Sequence, residues 1–195
     1  VATIGDWRNT PYAVIQNVGS WLDVPQVLEG DQPVRDAADV DAYLARVEGM
    51  AGQLDGETVR IRAARGQGLV PPSFLLDRTI EGITRTIAGA AADDGPLVGP
   101  LRRKGAALGG NGPARAARIA RTVVVPALER QLAEIRAQRA VATDAAGMAA
   151  RPHGAEWYAW GLRAGTTTRR SPQEIHRIGI EQVAALQAQM DVILK

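Results

Sequence analysis

Four stretches of this chain place apolar residues at steps of three and four, and no run alternates apolar with polar residues as a half-buried strand does. The longest passes through Val40, Tyr43, Leu44, Val47, Met50, Ala51, Leu54, Thr58 and Ile61. A second uses Leu76, Ile80, Ile83 and Ile87, and a third Ile119, Val123, Val124, Leu128, Leu132 and Ile135. The fourth uses Ile175, Ile178, Val183, Leu186, Met190 and Ile193. Such spacing collects on one side of a helix of about 3.6 residues per turn. Between the stretches stand Gly66 to Gly68 with Pro71-Pro72, Gly89 to Gly95, Gly109 to Gly112, and Gly147 with Pro152. Glycine and proline there end one helix and block its resumption. An all-α fold built from antiparallel helical hairpins is predicted.

Local signals place the helix ends. Asp36 can cap the first long helix, with Asp39 adding charge to its first turn. Asp41, Arg46, Glu48, Gln53 and Glu57 fall on its polar face. Gly49, Gly52 and Gly56 permit close packing or a bend. Ser73 is predicted to cap the second helix, and a short helix follows near Leu97 to Leu108. Pro113 suits the start of the third, and Pro126 inside it predicts a kink. Trp157, Tyr158, Trp160 and Leu162 sit on a short helix. Thr166, Thr167 and Thr168 then favour an extended segment, being three β-branched residues in a row. Ser171-Pro172-Gln173-Glu174 reads as a capping box opening the last helix. Residues 1–35, punctuated by Gly5, Pro11, Gly19, Pro25, Gly30 and Pro33, are predicted as short helical turns and extended pieces packed on a helical body of residues 36–195. The whole, 1–195, is taken as a single helical lobe.

The composition excludes several functions. Cysteine is absent, which removes disulfides, thiolate nucleophiles and Cys-based metal sites. No apolar run approaches the ~20 residues of a membrane span. The net charge of +2 is too even to argue for nucleic acid or an anionic membrane. Basic clusters at Arg102, Arg103, Lys104 and at Arg169, Arg170 read as solvated helix faces.

A search for chemistry ends with no catalytic residue and no metal ligand in this chain. His153 and His176 are the only histidines, lie on different elements and form no H-E-x-x-H pair. Ser20 and Ser73 lack a G-x-S-x-G turn. Gly105 to Gly112 lacks the phosphate-cradle pattern and follows no strand. What remains is the aromatic group Trp157, Tyr158 and Trp160 beside Thr166, Thr167 and Thr168. The plain reading makes the rings core and the threonines a turn. The functional reading makes Trp157, Tyr158, Thr166, Thr167, Thr168 and His176 the wall of a cleft, with hydroxyls facing a substrate backbone.

Three sets of residues carry a resemblance. Pro11 to Gln16, Asp23-Val24-Pro25 and Leu69 to Asp77 form one. Trp157-Tyr158 with Leu162-Arg163 and Thr166-Thr167-Thr168 form another, and Ser171 to Gly179 the third. In this order and spacing the chain resembles the bacterial domain-of-unknown-function family eight-eight-five. That family is similar to gluzincin-type zinc metallopeptidases, mostly helical with a deep cleft and an H-E-x-x-P-G-H-H signature. No such signature occurs here, so the resemblance carries over no zinc ligand and no general base. It implies an internal fragment preceding the zinc motif, one lobe of a larger metallopeptidase-like fold. The expected function is the helical scaffold of a zinc-dependent, peptidase-like hydrolase, not competent alone. Zinc and a peptide-like substrate then belong to the full-length protein, and the missing remainder of that protein is the first partner. Self-association through exposed apolar helix faces is a further expectation, and an exported or periplasmic location another. The alternative is a non-enzymatic helical binding or interaction module.

Overall fold

The computed structural model describes residues 11–194, and every regular element among them is a helix. A lone bridge between Ile15 and Val18 is the sole β pairing there. The all-α expectation therefore holds. The described residues fall into two compact units, one of residues 12–146 and one that includes residues 147–194.

Within the first unit, Ser20–Gly30 forms helix α1, an 11-residue helix where short helical turns and extended pieces are predicted. The part of that prediction covering residues 1–10 lies outside the described residues. Local sequence hides α1 because neither end is capped from nearby. Gly19 offers no side chain, and the last turn holds no basic residue. Both ends are satisfied from far along the chain. At the N-terminus, the Glu57 Oε1 atom accepts from the Ser20 N–H at 2.9 Å and the Ser20 hydroxyl at 2.7 Å. At the C-terminus, Lys104 Nζ donates to the carbonyls of Leu28 at 2.9 Å and Gln32 at 3.0 Å. An anion at the positive end and a cation at the negative end both favour the helix dipole.

Helix α2 spans Ala37–Gly66, and Asp36 caps it by accepting from the Asp39 N–H at 2.9 Å. Its predicted stripe is buried from Tyr43 to Ile61. Glu57 departs from the prediction: it is buried, only 6% exposed. Periodicity assigns a face by hydropathy alone and cannot anticipate a carboxylate drawn inward by remote donors. The three glycines of α2 also differ from expectation. A Cβ at Gly49, Gly52 or Gly56 would meet nothing within 4 Å, so none serves close packing. Close approach occurs at Gly82 on α3 (Ser73–Gly89), where a Cβ would lie 2.6 Å from Cη2 of Trp21.

Ser73 does not cap α3. It is the first helical residue; its N–H donates to the Thr143 carbonyl at 3.0 Å and its hydroxyl to Asp144. A short helix α4 (Gly99–Lys104) and a 3₁₀ turn (Ala106–Leu108) fill the predicted region near Leu97 to Leu108. Helix α5 (Gly112–Ile119) then runs through a π turn (Ala120–Val124) into α6 (Val125–Val141). The discontinuity predicted at Pro126 takes this form. Proline lacks a donor and crowds the carbonyl four residues back, and the wider π turn absorbs both effects.

Ion pairs define the helix directions. Along α2 and α5–α6, Asp41 meets Arg115 at 3.0 Å, Asp55 meets Arg130 at 2.8 Å, and Arg62 and Arg65 meet Glu134 at 3.1 and 2.8 Å. Both sets of numbers rise together, so the two helices run parallel. Along α3 and α6, Asp77 meets Arg139 at 2.6 Å and Ser73 meets Thr143, so these two run opposed. Simple antiparallel hairpins are thus only part of the architecture, because the chain passes through α3 and α4 before returning beside α2. Tyr43, Leu54, Leu76, Ile83, Leu128 and Ile135 share the core between these helices. Tyr43 donates to the Leu97 carbonyl at 3.2 Å, and burial pushes its phenol well above the usual range.

The second unit holds a 3₁₀ turn (Met148–Ala150), α7 (Gly154–Thr166) and α8 (Pro172–Ile193). Gly154 lies against the Met148 carbonyl, leaving no room for a side chain. The predicted capping box opens α8: Ser171 Oγ accepts from the Glu174 N–H at 3.2 Å, while Glu174 Oε2 accepts from the Ser171 N–H at 2.7 Å. No residue of α8 is buried.

Candidate functional site

The second unit carries a groove of about 760 Å³ where α7 gives way to α8. Its walls include Leu162 and Arg163 of α7, the connection Thr167 to Ser171, and Pro172 of α8. Of the six residues predicted to line a cleft, Thr167 and Thr168 line this groove. Trp157, Tyr158, Thr166 and His176 are not in its walls. Trp157 stacks on Trp160 with ring centroids 5.7 Å apart and a 58° tilt. Trp160 is buried and Tyr158 half exposed.

The threonines form a turn rather than the predicted extended segment. Thr166 is the last residue of α7, and Thr167 adopts the left-handed conformation, φ 55°. Side-chain hydrogen bonds within the turn provide the compensation. The Thr166 hydroxyl donates to the Leu162 carbonyl at 2.7 Å, and the Thr167 hydroxyl to the Thr166 carbonyl at 2.7 Å. Thr168 Oγ1 lies 2.9 Å from Thr166 Oγ1. Because the Thr166 proton is already engaged, Thr168 is the donor in that pair. All three hydroxyl protons are therefore committed inside the turn.

The remaining donors in the groove are guanidiniums. Arg163, Arg169 and Arg170 line it, all exposed, and among the described residues none forms an ion pair. Arg169 and Arg170 lie on the connection between helices, not on a solvated helix face as predicted. Their position directly after a helix-ending Thr triplet and before the capping serine is the signal that distinguishes them. The other basic cluster also departs from the simple reading. Arg102 pairs with Asp93 at 2.7 Å, Arg103 with Glu29, and Lys104 caps α1.

The histidines stand apart from any ligand set. His153 is a left-handed residue, φ 55°, ahead of α7, with its Nδ1 3.4 Å from Glu156 Oε2. His176 lies exposed on α8. Among the described residues no group of three His, Asp or Glu side chains converges as metal ligands. The residues present do not fit a zinc centre, which needs three or four convergent protein ligands.

The densest buried chemistry lies in the first unit and was missed in the sequence. Besides Ser20, Glu57 accepts from Gln131 Nε2 at 2.9 Å through Oε2. Glu134 takes Arg62 and Arg65 on separate oxygens. Burial opposes ionisation of Glu134, but the hydrogen bonds from Arg65 and Arg62 outweigh it and hold the carboxyl below its ordinary value. Both carboxylates tie helices together. None of the described helices is long and apolar enough to cross a membrane.

A family model described as a bacterial protein of unknown function, DUF885, matches residues 4–195. No curated protein matches the chain. Among solved structures, the chain resembles one described as the "putative lipoprotein from Colwellia psychrerythraea", with a TM-score of 0.87 over 95% of this chain at 23% identity. That likeness is one of fold. The chain spans 33% of that protein's length.

Proposed function

The chain belongs to the DUF885 family of bacterial proteins of unknown function, and from that membership we propose that it is the helical scaffold of a zinc-dependent, peptidase-like hydrolase whose metal centre lies on polypeptide beyond these residues. The observation that carries the scaffold reading is α8. Ile180, Val183, Leu186 and Met190 are each 55–59% exposed along a 22-residue helix with no buried residue. A contiguous apolar stripe of this kind is built to be covered. The greater length of the Colwellia protein supports the remainder of the same protein as the cover. The groove beside α8, lined by three exposed arginines that form no ion pair within 4.0 Å among the described residues, is one wall of the cleft for a peptide-like substrate. Export is in keeping with the description of the Colwellia protein.

No step of hydrolysis runs through the residues described, since they hold no zinc site. The test is metal content. The protein carrying this chain, as its gene encodes it, is expected to retain the same zinc after His153→Ala and His176→Ala together. One tightly held zinc on the 195-residue chain alone, lost in that double variant, overturns the proposal. A second reading, a non-enzymatic interaction module, is favoured by the same bare face of α8. Hydrolysis of peptides by the intact protein decides against it.

A further inference from the structure

We infer that the groove between α7 and α8 selects peptide segments bearing carboxylates, through Arg163, Arg169 and Arg170. This deepens the peptidase-like reading and rests on it for the word substrate, though the binding itself does not. Three observations converge. First, the threonine hydroxyl protons are all committed within their turn, so they offer a ligand no donor. Second, none of the three guanidiniums around the same concavity forms an ion pair within 4.0 Å among the described residues, and the carboxylate that feels one of them, Arg170, is Glu174. Most arginines facing a neighbour elsewhere in the protein are paired, as Arg62, Arg65, Arg115, Arg130 and Arg139 are. Glu174 has Oε2 engaged by the Ser171 N–H and hydroxyl, the main cause of its lowered pKa, with Arg170 adding a smaller effect. Third, Leu162, Ala159 and Pro172 give the groove an apolar floor. A volume of about 760 Å³ is that of a site for a sizeable organic ligand rather than a lone ion. Planar guanidiniums over an apolar floor suit a chain that carries carboxylates and also buries aliphatic surface.

The experiment is a titration of the intact protein with fluorescently labelled penta-glutamate, penta-glutamine and penta-lysine peptides, with inorganic phosphate as competitor. The acidic peptide is expected to bind tightest and to weaken as salt rises. Arg169→Gln with Arg170→Gln is expected to weaken it about tenfold, the scale of two exposed ion pairs, with an unchanged unfolding midpoint. Arg163→Gln gives a second, independent loss from α7. Equal binding of acidic and neutral peptides overturns the inference, as does an acidic peptide indifferent to the variants. Phosphate binding with the same arginine dependence, and no preference for the peptide, overturns it in favour of a simple anion site. If the acidic peptide binds but is never cleaved, the hydrolase reading fails and the groove stands. If peptides are cleaved at rates indifferent to the arginines, the groove fails and the hydrolase reading stands.

Discussion

At the scale of single residues, Glu57 decides most. Its carboxylate takes three hydrogen bonds from two other helices, and Ser20 and Gln131 are themselves buried. Glu57→Ala leaves those donors unpaired in the interior, where each orphaned group costs about 1–3 kcal/mol. The expected loss is at least about 3 kcal/mol in urea unfolding. A loss below 1 kcal/mol, by that yardstick, means water reaches the site. Glu134 carries a pH signature. Its native pKa is lowered, so ionisation favours the folded state. That stability is complete above the ordinary glutamate value of 4.5 and is lost as pH falls below it through the lowered native value. Unfolding free energies of wild type and Glu134→Gln are therefore expected to converge as pH drops from 6 toward about 3. Parallel curves over that range contradict the assignment. Neither carboxylate was legible in the sequence. Helical periodicity places a charged residue on the outer face, and only the crossing of other helices 37 to 74 positions away shows otherwise.

At the scale of elements, what could be read was whatever is determined by neighbours in the chain. Asp36, the Gly66–Pro72 break, Pro113 and the Ser171–Glu174 box all act within four or five residues, and all appear as predicted. Helix α1 was not legible, because its end groups are satisfied by Glu57 and Lys104 and not by its own flanks. Ser73 failed as a cap for the same reason: Asp144 takes its hydroxyl. The Thr triplet was misread because β-branching is a propensity, while hydroxyls bonded to nearby carbonyls stabilise a turn. The capping box gives a direct test. Ser171→Ala is expected to cost α8 about 1 kcal/mol. Hydrogen exchange across residues 172–178 reads that loss even though no residue of the helix is buried, and unchanged protection there contradicts the cap.

At the scale of the whole molecule, α8 is the feature with consequences for behaviour in solution. The 195-residue chain alone is expected to self-associate through Val183, Leu186 and Met190, seen as concentration-dependent sedimentation. Leu186→Lys with Met190→Lys is expected to abolish it; a chain monomeric at every concentration contradicts the idea of an adhesive face. The candidate groove was half legible. Thr167 and Thr168, two of the six candidate cleft residues, stand in its walls, yet Arg169 and Arg170, which supply its donors, carry no charge-pattern signal beyond that of solvated charge. The parallel pairing of α2 with α6 has a further consequence. Contacts of α2 with α5 and α6 join residues 69 to 77 positions apart, so a nascent chain cannot close this core as α2 leaves the ribosome. Tyr43, Leu54 and Ile61 must wait, uncovered, until the polypeptide has grown past Asp144. At about 5–20 residues per second that delay is on the order of ten seconds, long enough for a chaperone to find α2 before α6 does.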